Sequence, residues 1–134
     1  CKGGLIIVDY LQLMDPLPEH RRENRANQVA GISRALKVLA REFAVPLLAL
    51  AQLNRQLEQA SDKRPKLSDL KDSGAIEQDA DVVLFLHRPE LYERDKPELE
   101  GVAELHVAKH RNGPTGTVDL YFQRSQMRFE QRAS

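Results

Sequence analysis

Two short apolar runs each end on a polar residue with chemical potential. Leu5-Ile6-Ile7-Val8 closes at Asp9, and Leu47-Leu48-Ala49-Leu50-Ala51 closes at Gln52. Continuous branched aliphatic runs of this length read as strands buried on both faces. A carboxylate at the end of such a strand suits holding Mg²⁺ on a nucleotide, usually through water. The same Asp could simply start a turn or cap a helix. A phosphate cradle of the form Gly-x-x-x-x-Gly-Lys-[Ser/Thr] is absent, since none of the seven glycines precedes a lysine. A chain without that glycine-rich turn and its lysine is expected to bind ATP poorly by itself.

The elements that must position these residues follow from periodicity. Residues 15–24 make a polar loop with two prolines. From Arg25 to Phe43, Val29, Ile32, Leu36, Leu39 and Phe43 recur at spacings of three and four, which predicts a helix with one apolar stripe. A short helix around Leu53–Gln59 follows the second run, and Ser73 is placed to cap a helix reaching about Asp79. Val82–Leu86 reads as a third buried strand, residues 88–101 as a surface excursion, and Val102–Ala108 with Thr117–Phe122 as a hairpin joined through residues 111–116. Met127–Phe129 adds a last short strand. Three apolar strands separated by helices predict an α/β fold with a mostly parallel sheet, helices on both faces and a C-terminal antiparallel hairpin. In such sheets the polar residues at strand carboxyl ends face the ligand crevice, where Asp9 and Gln52 both fall.

Composition narrows the class. The chain has 134 residues, 41% hydrophobic and 30% charged, with 20 basic against 20 acidic side chains, which is enough for one domain and excludes collagen, a disulfide scaffold and wholesale disorder. No apolar run approaches a membrane span and no signal-peptide pattern opens the chain. The single cysteine, Cys1, forms no internal disulfide, so a reducing, cytoplasmic setting is expected. Cys1 itself fits either a trimmed or processed chain or the downstream flank of a self-splicing insert. Charge is segregated: residues 19–66 hold ten basic and five acidic side chains, residues 68–104 four and eleven. That pattern marks either a polyanion-facing side and an acidic side, or solvated surfaces that happen to cluster.

Four blocks carry a resemblance. Leu5 to Met14 resembles the Walker B segment of DnaB-type replicative DNA helicases, and Val45 to Arg55 their next strand with its glutamine motif. Leu67 to Asp81 is similar to their DNA-contacting segment, and Lys109 to Gly116 to their arginine-finger loop. The blocks occur in the family's order and span residues 1–134 almost entirely. The resemblance implies the C-terminal portion of a RecA-like ATPase domain, with the P-loop half and an N-terminal collar domain upstream of this sequence.

Roles carried over with that resemblance are specific. Asp9 enters the magnesium shell, and Gln52 senses the γ-phosphate and relays its state, because an amide both donates and accepts. Arg111 is the arginine finger, suited by its permanent charge and forked donors, with Lys109 two residues away to reach the same phosphate. Lys71, Asp72, Ser73 and Gly74 would face single-stranded DNA; the basic loop with Arg21, Arg22 and Arg25, which departs more from the family pattern, is expected to line the same channel. Plainer alternatives stand beside these: a glutamine capping the next helix, a basic hairpin tip in solvent, and a Ser-Gly pair that merely begins a helix. The family's catalytic glutamate lies upstream, so no glutamate here takes that role. With 5% aromatics and no Trp, backbone tracking of DNA is favoured over base stacking.

The resemblance implies a ring-forming, ATP- and Mg²⁺-dependent helicase, a homo-hexamer moving 5′→3′ at the replication fork. Its implied partners are a helicase loader, primase and the clamp loader, with no membrane. The alternatives are another RecA-like hexameric ATPase and a non-catalytic interaction or assembly module.

Overall fold

The computed structural model describes residues 3–54, 57, 60–70 and 74–131. The chain divides into two compact units, residues 1–54 with 68–80, and residues 55–67 with 81–134.

In the first unit, strands β1 (Ile6–Val8) and β2 (Leu47–Ala49) pair in parallel, with Ile6 opposite Leu47 and Val8 opposite Ala49. Helix α1 (Arg25–Glu42) makes the connection that a parallel pair requires. Asn24 caps it by accepting from the Asn27 N–H at 2.9 Å. The helix buries Val29, Ile32, Ser33 and Leu36. Val29, Ile32 and Leu36 form the core with Leu11, against Val8, Leu47, Ala49 and Ile76 of helix α2 (Gly74–Asp79). The expected stripe stops short: Phe43 is 62% exposed and caps the helix C-terminus instead. Ala44 follows in the left-handed region at φ 51°, where its N–H meets the Arg41 carbonyl. Arg34, itself exposed, reaches from α1 to Asp79 of α2 at 3.2 Å.

In the second unit, strands β3 (Val82–His87), β4 (Val102–His110), β5 (Gly116–Gln123) and β6 (Arg128–Gln131) form one antiparallel sheet in that order. The α/β class, the hairpin and the last strand agree with the sequence reading. The pairing of β3 differs: it runs antiparallel to β4, in a sheet of its own unit. An apolar run reports burial, not the direction of the neighbouring chain. Burial along β3 alternates, with Val83, Phe85 and His87 covered and Val82, Leu84 and Leu86 exposed in this chain. Ile7 and Leu48 likewise leave one face of the parallel pair exposed.

The excursion over residues 88–101 is latched rather than loose. Glu90, only 8% exposed, accepts from Arg88 through Oε1 and from the Gly101 N–H at 2.9 Å through Oε2, and Arg124 approaches Oε2 at 3.4 Å. Arg88 lies 3.9 Å from the Phe122 ring centroid, a cation–π contact. Gly101 sits at φ 71°, and a Cβ there would fall 2.4 Å from the Tyr121 ring, so only glycine fits. The expected helix over Leu53–Gln59 rests partly on residues 55, 56, 58 and 59, which lie outside the described residues. Leu53 itself is in a β-bridge.

Candidate functional site

Asp9 follows β1 directly and Gln52 lies just past β2. Because the two strands are parallel and in register, both residues emerge at the same carboxyl edge, as the sequence predicts. Both are exposed, and the Asp9–Tyr10 peptide bond is cis. Among the described residues no cluster of three or more His, Cys, Asp or Glu side chains could form a metal cage. A single carboxylate at a strand end nevertheless suits Mg²⁺, which keeps several waters and takes one or two protein oxygens beside substrate phosphates.

Gln52 is held by a residue that sequence reasoning did not single out. Its N–H donates to Gln12 Oε1 at 3.0 Å, and Gln12 Nε2 donates to the Gln52 carbonyl at 3.3 Å. Gln12 sits on a 3-10 turn, Leu11–Leu13, whose Leu11 is buried in the core. Nothing in the local pattern announces this contact across forty residues.

Beyond Gln52, Leu53 forms an antiparallel bridge with Leu70, and the Asn54 N–H donates to the Asp69 carbonyl at 2.8 Å. The segment carrying Gln52 is therefore tied to the segment leading into residue 71. Lys71, Asp72 and Ser73 lie outside the described residues. Gly74 is the exposed first residue of α2, with open space where a Cβ would stand.

The basic residues of the 15–25 stretch separate into two groups. Arg21 and Arg22 are exposed beyond a 3-10 turn at Pro18–His20. Arg25 is half-buried at the start of α1, and its guanidinium donates to the Gln12 carbonyl at 2.6 Å and to Gln28 Oε1 at 3.1 Å. A cation at a helix N-terminus is unfavourably placed, and these two acceptors offset that cost.

In the second unit, Lys109 lies on β4 opposite Val83, and Arg111 begins the turn. The ladder skips from the Val83–Lys109 pair to Leu84–Val107, so Ala108 is an extra residue in a β-bulge. Bulges re-aim the side chains beside them, and this one lies immediately before the basic pair. Arg111 Nη1 lies 3.0 Å from Asp81 Oδ1, and the Arg111 N–H donates to the Asp81 carbonyl at 2.8 Å. Asp81 thus fixes the root of the hairpin, at a position that sequence reading left without a role. A Cβ at Gly113 would fall 2.4 Å from the His110 ring, so this glycine makes room for a packed imidazole. Gly116 is the first residue of β5 and meets no such constraint.

Residues 2–131 match the DnaB-like helicase C-terminal domain model, nearly the whole chain. The chain belongs to the DnaB-like helicase C-terminal domain family. It is 56% identical over 129 residues to the replicative DNA helicase DnaB of Leifsonia xyli subsp. xyli, covering 96% of this chain and 28% of that protein. The corresponding Haemophilus influenzae protein is 53% identical, covering 98% of this chain and 28% of that protein. The chain therefore spans little more than a quarter of these relatives' length. The solved structure of a DnaB-like replicative helicase and its interactions with primase aligns with a TM-score of 0.84 at 48% identity, covering 90% of this chain and 28% of that one. A second solved structure, an ATPase domain, aligns at 0.90 and 45% identity, covering 96% and 44%. This DnaB-like chain thus has the RecA-like ATPase fold of helicases. No helix among its described residues is long and apolar enough to cross a membrane.

Proposed function

We propose that this chain is the phosphate-sensing and DNA-facing part of an ATP-dependent replicative DNA helicase. The observation that carries this reading is the shared edge of Asp9 and Gln52, together with the Leu53–Leu70 bridge. Gln52 stands one residue before that bridge, and Lys71 one residue after it. A change in Gln52 therefore has a short, hydrogen-bonded route towards Lys71, Asp72, Ser73 and Gly74, which would face single-stranded DNA.

When bound, Mg²⁺–ATP supplies the transferable phosphoryl group. Asp9 would provide one carboxylate oxygen to the magnesium shell. The Gln52 amide would donate to a γ-phosphate oxygen, and Arg111 with Lys109 would neutralise charge on the phosphate held by the next subunit. Head-to-tail packing of this kind closes into a ring, here a homo-hexamer. Arg21 and Arg22 would add positive charge to the DNA channel. A loader, primase and the clamp loader are the proposed partners and the cytoplasm the proposed location. The test is Gln52→Ala in the full-length protein: DNA-stimulated ATP turnover should collapse while assembly persists. Wild-type stimulation in that variant would remove the sensor assignment.

A further inference from the structure

The hydrogen-bond ladder between the chains of β1 and β2 continues beyond the last paired residues. The Leu50 N–H donates to the Val8 carbonyl at 2.9 Å, and the Leu11 N–H donates to the Leu50 carbonyl at 2.8 Å. At Leu11 the first chain turns into the 3-10 conformation and its backbone leaves the ladder. The Gln12 side chain takes the next rung, meeting both the N–H and the carbonyl of Gln52. A primary amide carries one donor face and one acceptor face, as a peptide group does, so it can stand in for a strand backbone. Gln12 is itself anchored on two sides. Its carbonyl accepts from Arg25, and its neighbour Leu11 is 2% exposed among Val29, Ile32 and Leu36. With both backbone groups of Gln52 fixed, its side chain swings from a set pivot. Reactive geometry is unforgiving, and a displacement of about 1 Å can cost on the order of 10²-fold in rate.

We propose that Gln12 is a positioning residue for Gln52, with Arg25 as its anchor. This rests on the reading of Gln52 as the phosphate sensor. The two hydrogen bonds from the Gln12 side chain to residue 52 go to its backbone, so on this proposal Gln12 acts on turnover through the Gln52 side chain.

The test measures ATP turnover at saturating single-stranded DNA in the full-length protein for Gln12→Met, Gln52→Ala and the double variant. Gln12→Met keeps the side-chain length but loses both hydrogen bonds. It should lower kcat about tenfold with KM for ATP within about twofold, and add less than about twofold to the loss in Gln52→Ala, since residues acting as a unit are non-additive. Arg25→Ala should lower kcat in the same direction and likewise be absorbed by Gln52→Ala. Wild-type kcat in Gln52→Ala would overturn the sensor reading itself. An impaired Gln52→Ala beside a wild-type Gln12→Met, or losses that multiply in the double variant, would overturn the positioning role while leaving the sensor intact. An Arg25→Ala variant that keeps its kcat but loses DNA affinity and salt slope would remove Arg25 as the anchor and return it to the DNA channel.

Discussion

Arg111 is held by Asp81 through both its side chain and its backbone, which would set its position in the proposed role on a neighbouring phosphate. Both side chains are about half exposed, so screening by water keeps the pair weak. Arg111→Ala in the full-length protein should preserve assembly and reduce ATP turnover by on the order of 10³-fold or more, and Arg111→Lys should rescue little because lysine lacks the fork. Mixing Arg111→Ala subunits with subunits lacking the P-loop lysine should raise activity above either parent. A mixture that stays inactive despite subunit exchange would rule out action on the neighbouring site. Lys71→Glu should weaken single-stranded DNA binding across all sequences and flatten its salt dependence, read from binding isotherms at several salt concentrations. Unchanged affinity and slope would take Lys71 out of the channel. The places of Asp9 and Gln52 at strand ends were legible in the sequence because apolar runs close on them, whereas Arg111 was singled out by the resemblance of its hairpin block. Gln12 and Asp81 were not, because their partners are brought to them only by folding.

At the level of elements, α1 was predicted nearly to the residue, since its 3.6-residue period is a local signal. Its end was not. Phe43 fits the stripe but lies past the last turn, where the chain reverses through Ala44. A residue with a Cβ in the left-handed region costs roughly 1 kcal/mol or more. Ala44→Gly should therefore stabilise this helix end by about 1 kcal/mol, measured by hydrogen exchange of the 40–45 segment. Slower opening is the expected result, and faster opening would show that Ala44 is unstrained. The 88–101 segment was read as a surface excursion from its charges and prolines, yet it buries Pro89, Glu90 and Gly101. The Gly101 N–H, followed by Arg88 and Arg124, holds the Glu90 carboxyl below its ordinary value of 4.5. A depressed carboxylate contributes stability that is present above the unfolded value and lost as pH falls through the folded one. Thermal unfolding of the full-length protein should therefore fall on acidification below about pH 4.5 in the wild type. Glu90→Gln should be less stable at pH 7 and show a shallower acid loss. Parallel acid profiles would exclude this latch as a contributor.

For the whole chain, the absent glycine-lysine cradle predicts that these 134 residues alone show no micromolar, Mg²⁺-dependent binding of a fluorescent ATP analogue. Such binding would show that phosphate is held by groups other than a P-loop. Burial of His87 pushes its imidazole below its ordinary value of 6.5. The unfolded chain then takes up a proton that the fold refuses, so the contribution of His87 to stability should be lost as pH falls below about 6.5, ahead of the carboxylates. The sequence by itself determined the α/β class, the order of the elements, the family and the residues closing each strand. These depend on hydrophobic period, turn chemistry and contiguous motifs, all of which are local. Tertiary structure alone decided that β3 joins an antiparallel sheet, that a bulge at Ala108 precedes the basic pair, and that Gln12 completes the ladder at Gln52. Each of these is a pairing between residues far apart in the chain, or a choice of partner strand. Such pairings are set by which backbone groups find each other once the core has closed, and an apolar or polar letter in the sequence carries no record of that partner.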